Sequence, residues 1–135
     1  MNINRRQFLI LTAATVATGC RALDDGNRSI AAHRERVVDV GPVGNYAADG
    51  VYNNFRDQGF FVIRNGEKLF ALSAICTHRK CKLIGEPDHS FYCKCHGSTF
   101  DPGGKVTLGP AKRDLPILPV FVNEKGQLLV TVSAT

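Results

Sequence analysis

The sequence predicts a small all-β domain, an antiparallel β sandwich, and three observations carry that expectation. Short β-branched and aromatic runs recur between residues 36 and 133. Turn residues such as Asn-Gly, Gly-Pro and Pro-Asp separate them. No run of ten or more residues in that region repeats with the helical period. At 135 residues, 44% hydrophobic and 21% charged, with 13 Gly and 6 Pro, the chain suits one turn-rich domain with a modest core.

The strands follow in order. "RVVDV" (36–40) alternates weakly and stops at Gly41-Pro42. "GFFVIR" (59–64) meets Asn65-Gly66, a strong hairpin signal, and returns as "KLFALS" (68–73). Phe61 and Ile63 should share a face, answered by Phe70 and Leu72. "KLIG" (82–85) and "SFYC" (90–93) flank a turn at Pro87-Asp88. "ILPVFV" (117–122) and "QLLVTVS" (127–133) surround the turn 123–126, and Pro116 and Pro119 push the first toward a sheet edge.

Ahead of the domain, residues 1–19 read as an export signal. "NRRQFLI" (4–10) pairs Arg5 and Arg6 ahead of Phe8 and Leu9 and resembles the twin-arginine class, a route for folded proteins. The apolar stretch from Leu9 to Ala17 is nine residues long, short of the ~20 a spanning helix needs. Gly19-Cys20 resembles a bacterial lipoprotein box, although Ala17 stands where Leu is commoner. Cys20 is therefore expected to carry lipid that holds the protein to a membrane surface. Residues 20–36 form a polar tether of roughly 20 Å reach, with a short helix conceivable over Ile30–Arg36 and His33 solvated. The domain proper is expected over 37–135.

A formal net charge of +5 is mild, and no basic run is interleaved with aromatics, so nucleic acid is not an expected partner. The chemistry lies in two knots, "CTHRKC" (76–81) and "CKCHGS" (93–98). They use four of five Cys and two of four His. In each, a Cys and a His at short spacing can present sulfur and nitrogen to one metal centre. A tetrahedral zinc site is one solution, that of a metal-stapled binding module. It leaves Cys81 and Cys95 over unless they pair with each other, as an oxidising compartment favours.

The spacing C-x-H, then C-x-x-H, with an added Cys in each box, resembles the disulfide-bearing Rieske iron–sulfur proteins over roughly residues 59–133. The resemblance implies a Rieske-type sandwich carrying a cluster-binding subdomain of two loops, 76–81 and 93–98. It implies that Cys76 and Cys93 hold the buried iron of one [2Fe–2S] cluster, that His78 and His96 hold the exposed iron, and that Cys81 and Cys95 cross-link the loops. Pro110, in "GPA" (109–111), would cover the third side. Two ferric ions, two sulfides and two thiolates make the oxidised centre neutral, so it accepts an electron more readily than an all-thiolate one. Nothing is arranged as a nucleophile or general base. The chain is therefore expected to be an electron carrier, or the small subunit of a periplasmic or membrane-associated oxidoreductase, rather than an enzyme alone.

Departures from the family pattern bear on the partner. Quinol-oxidising members place a Ser and a Tyr after the last His, and their hydroxyls stabilise the reduced form. Here Ser98 is kept, but Phe100 has no hydroxyl, which should lower the potential. Arsenite-oxidase-type small subunits share Phe at that position. Quinol-complex members also carry an apolar residue and Gly within the first box. This chain has Arg79-Lys80, with Lys94 in the second box and Lys82 just beyond the first. Such a rim suits an acidic protein surface better than a quinone pocket, and this weighs against a subunit of a quinol–cytochrome c reductase.

Overall fold

Residues 34–133 of the chain are described by a computed structural model. The export signal, Cys20, His33 and most of the tether lie outside them. Eleven strands follow one another: β1 (Glu35–Pro42), β2 (Gly50–Tyr52), β3 (Phe60–Asn65), β4 (Lys68–Ser73), β5 (Ile84–Gly85), β6 (Phe91–Tyr92), β7 (Thr99–Phe100), β8 (Val106–Leu108), β9 (Ile117–Leu118), β10 (Val120–Val122) and β11 (Gln127–Ser133). Two 3₁₀ turns, Val43–Tyr46 and Asn53–Gln58, are the helical elements among the described residues.

The strands form three sheets, ordered β1-β11-β10, β2-β3-β4-β9 and β5-β6-β7-β8, with antiparallel pairing throughout. The middle sheet is covered on both sides. Phe60, Val62 and Ala71 pack with Val40, Leu128, Val130 and Val132 of the first sheet. Phe61, Ile63 and Leu72 point the other way, toward Leu83, Phe91, Cys93 and Phe100. That is why "FFVI" is apolar at every position: each face of β3 meets a core. β11, covered on one face, alternates instead, with Leu128, Val130 and Val132 buried between more exposed neighbours.

The expected β3–β4 pairing is present, with Phe61 opposite Leu72 and Ile63 opposite Phe70. Its turn is displaced by one residue from the Asn-Gly reading. Asn65 pairs with Lys68, so Gly66 and Glu67 are the central residues, and Gly66 takes a φ of +60°. A first central Gly is the II′ arrangement. At the other end of the domain Pro119 divides "ILPVFV" between two layers. β9 is an edge of the middle sheet and β10 an edge of the first. The backbone there still bonds, because Pro116 and Pro119 accept from Ser73 and Thr131 N–H groups at 2.9 Å.

One local expectation fails. Of the described residues of the conceivable helix over Ile30–Arg36, Arg34 is in no helix, and Glu35 and Arg36 are extended and pair with Ser133 and Val132. Strand partners on β11 override a weak helical tendency.

Candidate metal centre

Both boxes fold into the same loop. In the first, the Cys76 N–H donates to the Cys81 carbonyl at 2.7 Å and the Lys80 N–H to the Cys76 carbonyl at 3.0 Å. In the second, Cys93 N–H reaches the Ser98 carbonyl at 2.8 Å and Gly97 N–H the Cys93 carbonyl at 2.9 Å. The fifth residue of each loop is left-handed, Lys80 at φ +59° and Gly97 at φ +80°. The first loop is rooted by an isolated bridge between Ile75 and Lys82, the second by β6 and β7.

Each loop begins with a buried thiol. Cys76 is 2% exposed and Cys93 1%, and both are free. Burial pushes the Cys76 thiol up, and the nearby Cys93 adds to this. Backbone N–H groups of His78 and Arg79 oppose the shift. Two neighbouring buried thiols that do not bond to each other are a natural pair of metal ligands, since a metal displaces their protons.

The imidazoles of His78 and His96 sit edge to face, with ring centres 4.7 Å apart. Desolvation, then the neighbouring His96 and Arg79, lower the His78 pKa from its ordinary value, which favours the neutral imidazole that a metal needs. Its Nδ1 is buried and meets no hydrogen-bond partner. An orphaned buried nitrogen is costly unless a metal takes its lone pair. Two thiols, two imidazoles and that orphaned atom fit a centre with mixed sulfur and nitrogen donors.

Cys81 and Cys95 form a disulfide that joins the loops. Their sulfurs and that of Cys93 lie within 4.8 Å of one another. Only Cys93 among the three has a sulfur outside the disulfide. Ser98 is fully buried, and its Oγ accepts from the Ala111 N–H at 3.0 Å, leaving the hydroxyl proton free to donate elsewhere. Phe100 is fully buried and opposite Phe91, which in turn stacks on Phe61 at 4.9 Å. Pro110 is exposed, in a segment fastened to both loops: Ala111 bonds Ser98, and the Thr77 hydroxyl donates to the Arg113 carbonyl at 2.6 Å. Those two bonds join residues far apart in sequence, and no local pattern announces them.

The loop geometry makes a prediction of its own. A left-handed side chain costs about 1–2 kcal/mol, against about 0.5–1 kcal/mol for the greater freedom of unfolded Gly. Lys80→Gly is expected to raise Tm by a few degrees in a thermal melt. Gly97→Ala should lower it, through conformation alone, because a Cβ there would meet nothing within 4 Å.

Comparisons agree with this picture. The family model for the Rieske [2Fe–2S] domain matches residues 36–119. A cytochrome b6-f complex iron–sulfur subunit of Prochlorococcus marinus is 34% identical over 82 residues, covering 58% of this chain and 46% of that protein. A cytochrome bc1 complex Rieske iron–sulfur subunit of Streptomyces lividans is 44% identical over 66 residues, covering 46% of this chain and 39% of that protein. The crystal structure of the cyanobacterial plasma membrane Rieske protein PetC3 from Synechocystis PCC 6803 superposes with a TM-score of 0.52 at 28% identity. That match covers 70% of this chain and 99% of the other.

Proposed function

This chain belongs to the Rieske [2Fe–2S] domain family, and from that premise we propose that it is an exported electron-transfer protein. In this reading it works as a carrier, or as the small subunit of a membrane-associated or periplasmic oxidoreductase. Its cofactor is one [2Fe–2S] cluster, the group that defines the family. Cys76 and Cys93 would hold one iron, and His78 and His96 the other. The group supplies one-electron chemistry. The protein buries the thiolate side, leaves the His96 edge exposed as the electron's exit, and clamps the two loops with Cys81–Cys95. The observation that carries this reading is a pair of buried free thiols and a pair of packed imidazoles, one of each presented by each of two loops of like geometry.

Ser98, with its free hydroxyl proton, would stabilise the reduced cluster, whereas Phe100 has none to give, so the potential would be lower than with Tyr there. Residues 1–19 would direct export, the residues from Cys20 to the start of β1 would act as a tether, and lipid on Cys20 would hold the domain at the outer face of the membrane. Among the described residues no helix is long and apolar enough to cross a membrane.

The matches span less than half the length of the two curated relatives. A second reading, the Rieske subunit of a quinol–cytochrome c reductase, draws support from the names of those relatives. The charged tip at Arg79-Lys80 favours a protein acceptor instead, because a quinone pocket takes an apolar one.

Metal analysis tests the proposal. Protein made with cluster assembly intact should hold two irons and two acid-labile sulfides per chain, absorb in the visible, and bleach on reduction. Stoichiometric zinc without iron would replace this reading with that of a zinc-stapled binding module.

A further inference from the structure

The two boxes place Arg79, Lys80 and Lys94 beside the histidines, and the fold supplies a third side. Through the Ala111–Ser98 and Thr77–Arg113 hydrogen bonds, residues 109–113 are held against both loops. That brings in Lys112 and Arg113, both exposed. Segments 76–81, 93–98 and 109–113 together contain five cations and no carboxylate. None of the five is in an ion pair among the described residues. Lys82, just past the first box, is different: its ammonium lies 3.3 Å from Asp57 and is locally neutralised.

Positive charge is concentrated here beyond what the composition suggests. Residues 34–133 carry thirteen Lys and Arg against ten Asp and Glu, a net charge of +3. Five of those cations are on the three segments, so the rest of the domain is net negative. A protein polarised in this way is turned by the field of an acidic partner before contact, which raises the association rate. The third side also carries apolar surface: Leu108, 61% exposed, ends β8 and leads directly into Gly109 and the exposed Pro110. Apolar contact beside a cationic rim matches the anatomy of a transient protein interface.

We propose that this three-sided face, with Lys112, Arg113 and Leu108 as its third side, docks an acidic patch on a redox partner protein. The proposal rests on reading the two loops as the cluster site. An anionic bilayer would attract the same cations, but it holds no acceptor for an electron at the histidine edge. Lys112 and Arg113 steer the encounter, and Leu108 and Pro110 lengthen its life.

Stopped-flow oxidation of the reduced, cluster-loaded protein by an acidic c-type cytochrome tests this. The wild-type second-order rate should fall steeply with ionic strength. Lys112→Glu/Arg113→Glu should lower the low-salt rate by about tenfold or more and flatten its salt dependence, with the EPR spectrum and potential unchanged. Lys68→Glu/Lys125→Glu makes the same charge change on the two hairpin turns and should leave the rate within about twofold. Leu108→Ser should reduce the rate that survives at high salt. Equal slowing by both charge pairs would overturn the proposal, since net charge alone would then act. A salt-independent rate would overturn it too. So would loss of binding to phosphatidylglycerol vesicles in the Lys112/Arg113 pair without any change in electron transfer. Wild-type protein lacking the Rieske EPR signal would instead sink the cluster assignment, a separate failure visible before any rate is measured.

Discussion

Replacing His78 or His96 by cysteine is expected to abolish the Rieske EPR signal, whose average g lies below the free-electron value, while leaving the fold intact. The expected size of the effect follows from the site's division into two halves. Cys76 and Cys93 sit inside the hydrophobic core with Leu83, Phe91 and Phe100. The histidines lie toward the outside, His96 exposed and His78 half-buried. On the proposed ligation, changing an outer imidazole should therefore leave the packing of the three sheets largely intact. It does alter the charge of the centre: a third thiolate makes the oxidised state negative, which disfavours adding an electron. A variant that still binds iron should show a ferredoxin-like signal at a lower potential. One that cannot should be colourless, with an unchanged far-UV circular dichroism spectrum. Retention of the wild-type signal in both variants would show that neither imidazole is a ligand. Alanine at Cys93 is a poorer test, because a void in the core would confuse ligand loss with unfolding.

What the sequence makes legible, and what it does not, divides along physical lines. The β3–β4 hairpin is readable because its period, its turn residues and the matched pairs Phe61–Leu72 and Ile63–Phe70 all agree. β11 is readable because one face of a long strand alternates. Strands β2, β5, β6, β7 and β8, of two or three residues each, are too short for any period to show. Of these only β5 and β6 are anticipated, by the Pro87-Asp88 turn between them. β2, β7 and β8 arise from pairing with neighbours that sequence cannot rank. The 3₁₀ turn Asn53–Gln58 ends at Gly59, φ +95°, and its Arg56 donates to the Leu83 carbonyl at 2.5 Å. That is a contact across 27 residues, beyond reach of a local pattern.

At the site, the boxes are legible because candidate metal donors cluster at short spacing. The charge around them is only half legible. Arg79, Lys80 and Lys94 are adjacent to the donors in sequence, whereas Lys112 and Arg113 arrive through two long-range hydrogen bonds. Lys82 reads as part of the rim until Asp57 is seen beside it.

The Cys81→Ser/Cys95→Ser double variant should assemble its cluster and lose it much faster than wild type on warming. The bridge spans a sequence separation of 14, and closing a loop of that size is worth about 3 kcal/mol in the chain-entropy account. For a domain of this size such a loss lowers Tm by more than about 10 °C. The stabilisation falls where it matters, because Cys81 ends the first loop and its carbonyl accepts the Cys76 N–H at 2.7 Å. Freeing Cys81 loosens the residue that orients Cys76, and freeing Cys95 loosens the turn between Cys93 and His96. The double variant is the clean one. With Cys95 alone removed, the Cys81 sulfur would be a free thiol within 4.8 Å of Cys93, able to oxidise with it and destroy the site by another route. Wild-type protein treated with a thiol reductant should behave like the double variant, since Cys95 is an exposed residue and a reductant thiolate opens a disulfide by attacking one of its sulfurs. The measurement is the decay of visible absorbance at a series of temperatures. Equal lifetimes for wild type and double variant would mean that backbone hydrogen bonds and core packing hold the loops without the bridge.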